Sequence, residues 1–195
     1  MIREFYIRAV YVLLILPTIL GCSFYKYEPK GYVLLYGISL YVDSKAEGVT
    51  PNLRYCDNDI RALKKLFAKE KGYEILDRID SEATLARLVE DIDYISNNAS
   101  QGDTFLLYFS GHGGMASTSV QNGNEKEDDS ADEYLFPYGS ISYSGYGIFD
   151  KALQDDYFSK LISKLPTRKN IIIIDACNSG GFIGNGSAIE ETPDE

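Results

Sequence analysis

Apolar runs alternate with amphipathic stretches along most of the chain, and each kind of pattern predicts one kind of element. Nearly continuous apolar segments predict four strands, at residues 32–38, 74–77, 104–109 and 170–175. Apolar residues spaced three and four positions apart predict three helices: residues 57–71, a helix that begins at the N-cap Ser81, and residues 151–164. Because strands alternate with helices, we expect a parallel sheet of about four strands with helices on both faces.

The longest interruption of this pattern lies at residues 116–149, which are rich in Gly, Ser, Asn, Asp and Tyr. Residues 121–132 are polar and mostly acidic, which is typical of a surface loop. Residues 134–137 predict a short extended piece. We therefore expect a long excursion between the third and fourth strands of one α/β domain.

The first 22 residues differ in character from the rest of the chain. Arg3 and Arg8 precede an almost uncharged segment, residues 9–20, which is typical of an export signal and short for a bilayer-spanning helix. The end of this segment, Ile-Leu-Gly-Cys at residues 19–22, resembles the lipobox of bacterial lipoproteins, in which the cysteine is acylated. We expect an exported lipoprotein anchored through Cys22, periplasmic or on the cell surface. An uncleaved anchor and ordinary secretion are the alternatives.

These patterns divide the chain into a leader (residues 1–22), a linker (23–30), one α/β domain (31–186) and an acidic tail (187–195). The chain carries 29 acidic and 19 basic side chains, a net charge of −10. Such a balance argues against binding to nucleic acid and against a basic face that docks on membranes. Besides Cys22 there are two cysteines, Cys56 and Cys177, too few for a disulfide framework.

Two reactive side chains follow the third and fourth predicted strands. His112, the single histidine, stands in Ser-Gly-His-Gly-Gly, and Cys177 stands in Asp-Ala-Cys-Asn-Ser-Gly-Gly. Carboxyl ends of parallel strands meet at one edge of a sheet, so both residues are expected there. A thiol attacks a carbonyl as thiolate, and a nearby imidazole is the usual acceptor of its proton. The sequence therefore predicts a cysteine peptidase.

The same motifs resemble those of the caspase-like peptidases (peptidase family C14), specifically the metacaspase branch. The resemblance spans about residues 31–181 and includes Leu-Arg-Tyr-Cys-Asp-Asn-Asp at residues 53–59. It implies a caspase-like three-layer sandwich, with Cys177 as nucleophile and His112 as general base and later acid. It also implies that the backbone N–H of Gly113, with that of Cys177, holds the oxyanion of the tetrahedral intermediate.

The resemblance further implies where the substrate binds. In metacaspases the pocket for the residue before the scissile bond is acidic, and the matching positions here are Asp59, Asp175, Cys56 and Ser110. Two carboxylates in one small pocket select a long cationic side chain, so we expect cleavage of peptides or proteins after Arg or Lys. Helix capping is the alternative role of Asp59.

Many metacaspases bind calcium through four aspartates, and only Asp155 and Asp156 match them in this chain. The other two positions correspond to Gly139 and Gly184, which carry no ligand atoms in a side chain. A calcium ion takes six to eight oxygens, usually with several carboxylates. We therefore expect that no cofactor is required, with a weak calcium site at Asp155 and Asp156 as the alternative.

Family members continue well past the cysteine, whereas here only residues 178–195 follow it. Three explanations are open: a truncated gene, a partner chain that supplies the missing half, or a reduced fold. An exposed edge strand of the sheet would be open to pairing with such a partner. A caspase-like module that binds partners without catalysis is therefore the alternative to an active peptidase.

Overall fold

The computed structural model describes residues 27–41, 51–117, 131–142 and 147–183. Their elements, in chain order, are β1 (Gly31–Gly37), α1 (Cys56–Phe67), β2 (Tyr73–Ile79), α2 (Leu85–Asn98), β3 (Thr104–Ser110), β4 (His112–Ser117), β5 (Ala131–Phe136), β6 (Leu153–Gln154), α3 (Asp155–Ile162) and β7 (Lys169–Asp175). Short 3₁₀ turns occupy Asp80–Glu82, Phe149–Lys151 and Gly180–Ile183. The strand–helix alternation predicted from the sequence is confirmed.

The main sheet is parallel and has the strand order β2-β1-β3-β7. All four strands start on one rung, in which Gly31 pairs with Tyr73 and Thr104, and Thr104 pairs with Lys169. They also end together, with Ser110 paired to Asp175. We call the side where the strands begin the amino edge and the side where they end the carboxyl edge.

Helices cover both faces of this sheet. On one face α1 places Ile60 against Val33 and Leu35. The opposite face carries the larger core, in which residues of α2 such as Ile92 and of α3 such as Phe158 pack with the other side chains of β1 and β3. The α/β three-layer architecture expected from the sequence is thus present, with the central strand β1 buried along its whole length.

A second, antiparallel sheet is attached at the carboxyl edge, with the order β4-β5-β6. Its first pair joins His112 to Phe136. The sequence pattern predicted only a short extended piece here, at residues 134–137. The small and polar residues of β4, His-Gly-Gly-Met-Ala-Ser, form a strand because β5 supplies the hydrogen-bonding partner, not because of their own preference.

Several helix boundaries differ from the prediction, and α1 ends at Phe67 rather than at residue 71. Thr84, not Ser81, is the N-cap of α2, because its Oγ1 accepts a hydrogen bond from the Arg87 N–H at 3.2 Å. Ser81 instead lies in a 3₁₀ turn. The third helix begins at Asp155 rather than Lys151, because the preceding residues form a 3₁₀ turn and β6.

Several predictions fall on residues outside the described ranges. They are the leader with Cys22, most of the acidic loop, Gly184 and the acidic tail. Within the described part of the chain, no helix is both long enough and apolar enough to cross a bilayer.

Candidate active site

The pairing of β3 with β7 brings the two reactive residues to the same place. His112 lies two positions beyond Ser110 and Cys177 two positions beyond Asp175, and these two strand ends form the last rung of the ladder. The Gly111 N–H continues the pairing by donating to the Asp175 carbonyl at 3.2 Å. Both segments therefore leave the sheet side by side.

The two segments are in backbone contact. A Cβ atom placed on Gly113 would lie 1.9 Å from the Cys177 carbonyl oxygen and 3.2 Å from the Ala176 Cβ. No side chain fits in that space, so the close approach of the His112 and Cys177 segments requires a glycine here. The structure thus places Gly113, assigned above as an oxyanion donor, directly against the residue that carries the thiol.

The imidazole of His112 is held by a backbone carbonyl. Its Nε2 lies 2.7 Å from the Pro51 oxygen, and a carbonyl only accepts, so Nε2 carries the hydrogen in this arrangement. In the neutral ring Nδ1 is then the free acceptor. This contact leaves Nδ1 as the ring nitrogen that is able to accept a proton.

Tyr41 is a second support of His112 that the sequence did not indicate. Its Oη accepts from the His112 N–H at 2.7 Å and donates to the Phe136 carbonyl at 2.8 Å. Its ring lies 4.8 Å from the imidazole, centroid to centroid. Burial, as the largest cause, raises the pKa of this hydroxyl, so it stays protonated and keeps its donor role. Tyr41 is a positioning residue.

Cys177 is exposed, whereas Cys56 is buried, and both thiols are free. The chain turns sharply after Cys177, because Asn178 has a positive φ of 51°. Asn tolerates this left-handed conformation better than most residues do. The turn leaves the thiol at the protein surface, where a peptide has access to it.

The four predicted pocket residues converge beside the last rung of the sheet. Ser110 Oγ and Tyr108 Oη both donate to Asp175 Oδ2 at 3.5 Å, the outer limit of a hydrogen bond. The charges of Asp175 and Asp59 both act on the Cys56 thiol and on the Tyr108 hydroxyl. The structure therefore brings Asp59, Asp175, Cys56 and Ser110 together and adds Tyr108, which sequence reasoning missed.

The electrostatic state of Cys56 follows from this neighbourhood. Burial raises the pKa of its thiol, and the carboxylates of Asp175 and Asp59 raise it further, against a hydrogen bond with Ser110 that lowers it. Burial likewise raises the pKa of Tyr108, with help from the same two carboxylates. Cys56 and Tyr108 are consequently neutral at physiological pH.

Asp59 lies in the first turn of α1, where its charge also suits the helix N-terminus. The N-cap residue is Tyr55, which has a left-handed backbone with φ of 79° and forms no capping hydrogen bond through its side chain. The neighbouring Asp57 is bound instead to Ser39, whose Oγ donates to Asp57 Oδ1 at 2.9 Å. Asp59 is the acidic residue of this turn whose charge acts on both Cys56 and Tyr108.

The predicted calcium ligands do not form a suitable site. Asp155 is buried, and its Oδ1 accepts the Asp156 N–H at 2.9 Å. Burial raises the pKa of Asp155, and the carboxylates of Asp156 and Asp132 raise it further. Gly139 offers only backbone, and among the described residues no cluster of three or more His, Cys, Asp or Glu side chains could hold a metal ion. Among the described residues, Asp155 and Asp156 by themselves supply too few oxygens for calcium.

Comparison with known proteins agrees with this geometry. The sequence model of the caspase domain (Peptidase_C14) matches residues 30–194, so the chain belongs to the caspase domain family. Metacaspase-1 of Eremothecium gossypii is 30% identical over 159 residues, which cover 77% of this chain and 32% of that protein. Metacaspase-1B of Aspergillus oryzae is 24% identical over 180 residues, which cover 84% of this chain and 41% of that one.

A solved structure shows the same fold. The crystal structure of a protein from Geobacter sulfurreducens is similar with a TM-score of 0.57 and 26% sequence identity, over 76% of this chain and 51% of that one. The chain therefore spans about half of that protein and, in the two relatives above, 32% and 41% of their length. The predicted resemblance to metacaspases is confirmed at the level of family and fold.

Proposed function

We propose that this protein is a cysteine endopeptidase in which Cys177 is the nucleophile and His112 the base. The observation that carries the proposal is the contact of the two segments, in which Gly113 leaves no room for a side chain beside the Cys177 carbonyl. Membership of a peptidase family supports it. The exposure of Cys177 supports it as well, because a buried thiol would have no access to a peptide.

Each step of the reaction has a residue for it. Nδ1 of His112 takes the proton of Cys177, and the thiolate adds to the scissile carbonyl. The N–H groups of Gly113 and Cys177 stabilise the oxyanion, and one such donor is worth about 3 kcal/mol of barrier. The imidazolium then protonates the leaving amine, and water hydrolyses the acyl-enzyme with His112 again as base. Pro51 and Tyr41 keep the ring oriented through both halves.

The proposed substrate is a peptide or protein with Arg or Lys before the scissile bond. Asp59 and Asp175 supply negative charge next to Cys56 and Tyr108, and Ser110 and Tyr108 both donate to Asp175. An Arg side chain gains charge-assisted hydrogen bonds there, whereas an Asp side chain meets like charge. We propose that no metal is needed, so chelation of calcium should leave turnover unchanged.

The proposed location is outside the cytoplasm, on a membrane. Support comes from the basic start, the apolar segment and the lipobox-like end of residues 1–22. Lipidation at Cys22 and an uncleaved anchor both give membrane attachment. Metabolic labelling with a fatty-acid analogue, lost in Cys22→Ala, would distinguish the first from the second.

The test of the peptidase uses the full chain with reporter peptides that end in Arg, Lys or Asp. We expect turnover of the Arg and Lys reporters, no turnover of the Asp reporter, and loss of at least about a thousandfold in Cys177→Ala. Cys56→Ala is the matched control, since it removes a thiol from the pocket and should mainly change KM. Equal turnover by Cys177→Ala and the unmodified chain would exclude the proposed nucleophile.

One observation favours a second candidate, a non-catalytic binding module. Among the described strands β7 lies at the edge of the parallel sheet, and its Ile171 and Ile173 are 48% and 46% exposed. An apolar edge strand is open to pairing with another chain. If no reporter is cleaved while Ile171→Lys and Ile173→Lys abolish a defined complex, the binding module replaces the peptidase.

A further inference from the structure

Basic side chains are concentrated at the amino edge of the sheet. This edge consists of residues 27–30, 68–73, 99–103 and 166–169, which lead into the four strands and include the first residues of β2 and β7. It contains five exposed basic residues, namely Lys30, Lys69, Lys71, Arg168 and Lys169. Its three acidic residues are Glu28, Glu70 and Asp103, and the last is buried.

This cluster of basic side chains is opposite in sign to the net charge of the chain. The net charge of −10 argued from the sequence against a basic docking face. The folded chain separates its charges, however, because short segments that are distant in sequence meet where the strands begin. Charge compensation at a helix C-terminus explains Lys64 and Lys65 in the last turn of α1, but it does not explain the basic residues that precede β1 and β7.

Exposed aromatic rings lie among these charges. Tyr27 is 50% exposed and Tyr73, on the first rung of the sheet, is 44% exposed. Tyrosine rings and lysine side chains together are enriched where proteins meet the headgroup region of a bilayer. The amino edge thus has both the charge and the amphipathic rings that suit a lipid surface.

The N-terminal segment leaves the domain from this same edge. The Tyr27 hydroxyl donates to Asp103 Oδ1, and the Lys30 N–H donates to the same oxygen at 2.7 Å. Tyr27 also packs so closely on Gly102 that a Cβ there would lie 2.6 Å from its ring. Only residues 23–26 separate Tyr27 from Cys22. An anchor at Cys22 therefore lies at most about 18 Å from the amino edge, at about 3.5 Å per residue.

We propose that the amino edge is a docking surface for an anionic bilayer and holds the candidate active site on the side away from the membrane. The inference rests on the proposed membrane attachment at the N-terminus and is independent of peptidase activity. The strands are seven residues long, so the last rung lies about 20 Å farther from the lipid than the first. Each basic side chain near such a surface contributes about 1 kcal/mol, which is about fivefold in the docking equilibrium.

The experiment is lysine acetylation of the full chain held by its N-terminal segment in vesicles, with sites quantified by mass spectrometry. Vesicles of neutral phosphatidylcholine are compared with vesicles that contain phosphatidylglycerol. We expect Lys71 and Lys169 to be acetylated about fivefold more slowly on the anionic vesicles. Lys151 is exposed but lies outside the amino edge, so it should react equally on both kinds of vesicle. Salt at about 1 M, where the screening length is about 3 Å, should remove the difference.

A charge-reversal pair tests the surface directly. Lys71→Glu with Lys169→Glu should abolish the protection of Lys30 and Lys69, and the matched double variant Arg54→Glu with Lys151→Glu should retain it. Equal labelling on the two kinds of vesicle, or protection that survives the first double variant, would overturn the proposal. The proposal would also be overturned if polyglutamate or a nucleic acid in solution protected these lysines and anionic vesicles did not. The amino edge would then bind an acidic polymer instead of a lipid surface. Turnover of the Arg reporter in the same samples tests the peptidase separately.

Discussion

The two edges of the parallel sheet are built from the same four strands but differ in charge. At the carboxyl edge, residues 38–41, 51–59, 80–84, 111–114 and 175–179 contain five carboxylates and one arginine. At the amino edge, the segments that precede the strands contain five basic and three acidic residues. The sheet therefore separates a negative side, which suits a cationic substrate, from a positive side, which suits an anionic surface. Net charge alone describes neither.

The edges also differ in backbone conformation. The non-glycine residues with positive φ in the described ranges are Tyr55, Asp80 and Asn178, and all three lie at the carboxyl edge. At the amino edge the residue with a positive φ is a glycine, Gly72, whose φ is 87°. Such a conformation is least favourable for Tyr55, because Asp and Asn tolerate it better than most residues do. In the described ranges, the left-handed non-glycine residues thus lie at the edge that carries the candidate site.

One aspartate organises each edge. Asp80 accepts the N–H groups of Ser39 and Leu40 through Oδ1, both at 2.8 Å, and so shapes the loop that leads to Tyr41. Asp103 does the same at the amino edge, where it accepts from Tyr27, Lys30 and Ser100. These two residues allow each edge to be perturbed without the other.

Among the variants that compare the two edges, the largest effect is expected from Gly113→Ala. The added methyl group would overlap the Cys177 carbonyl oxygen, 1.9 Å away, so the two segments must separate. We expect kcat/KM for the Arg reporter to fall at least about a hundredfold, as for loss of an oxyanion donor. Initial-rate kinetics together with thermal unfolding would measure it.

Gly180→Ala is the matched control for this variant, because no heavy atom lies within 4 Å of the added Cβ. It should change kcat/KM by no more than about twofold. Comparable losses in both variants would show that the 1.9 Å approach at Gly113 has no special role.

Asp103→Ala should destabilise the fold and leave turnover intact. It removes the acceptor of three donors, two of them backbone N–H groups, at a cost of about 3 kcal/mol in the free energy of unfolding. Urea unfolding would measure this, and unchanged kcat/KM would show that the effect stays at the amino edge. A large loss of kcat/KM in the folded variant would contradict the independence of the two edges.

The same carboxylate predicts a pH dependence. Burial alone would raise the pKa of Asp103, but its hydrogen bonds outweigh burial and lower it. Its stabilising contribution is therefore complete above the ordinary carboxyl pKa of about 4 and is lost as pH falls through the lower folded value. Acid unfolding of Asp103→Ala should accordingly be less steep than that of the unmodified chain.

Asp80→Ala, in contrast to Asp103→Ala, should lower turnover more than stability. The loop at residues 38–41 loses its acceptor, so Tyr41 no longer holds the His112 N–H firmly. We expect about a tenfold loss of kcat and a smaller loss of stability than in Asp103→Ala, because Asp80 is less buried. A shift in the pH profile of kcat would distinguish a displaced imidazole from a general loss of folded protein.

The smallest expected effect is a difference in the rate of alkylation between the two free thiols. Cys177 is exposed, whereas burial and two carboxylates raise the pKa of Cys56. Iodoacetamide should therefore modify Cys177 first at neutral pH, and Cys56 should react only as pH rises or after unfolding. Peptide mass spectrometry resolves the two sites. Faster labelling of Cys56 than of Cys177 in the native protein would contradict the described surroundings of Cys56.

Sequence patterns predicted the parallel sheet because its strands are apolar runs with helices between them. They did not predict β4, whose glycines and small residues become a strand only by pairing with β5. They also placed the start of α2 at Ser81, because Thr84 is an equally good capping residue and only the local fold selects between them.

Some residues of the candidate site could likewise be predicted from the sequence, and others could not. His112 and Cys177 could be located because each follows an apolar strand at the same offset. Tyr41 and Pro51 could not, since one of 16 tyrosines and a loop carbonyl carry no local signal of their contact with an imidazole. The basic amino edge was hidden for a related reason, since Lys30, Lys71 and Lys169 meet only after folding.

The full-length ladder between β3 and β7 has a consequence for proteolysis of the molecule itself. Arg168 is exposed and immediately precedes β7, where a trypsin-like cut would break the covalent link between the two reactive residues. After such a cut, seven rungs from Thr104–Lys169 to Ser110–Asp175 would still hold the released fragment in register. A nicked molecule should therefore elute as an intact two-piece complex and dissociate only in denaturant.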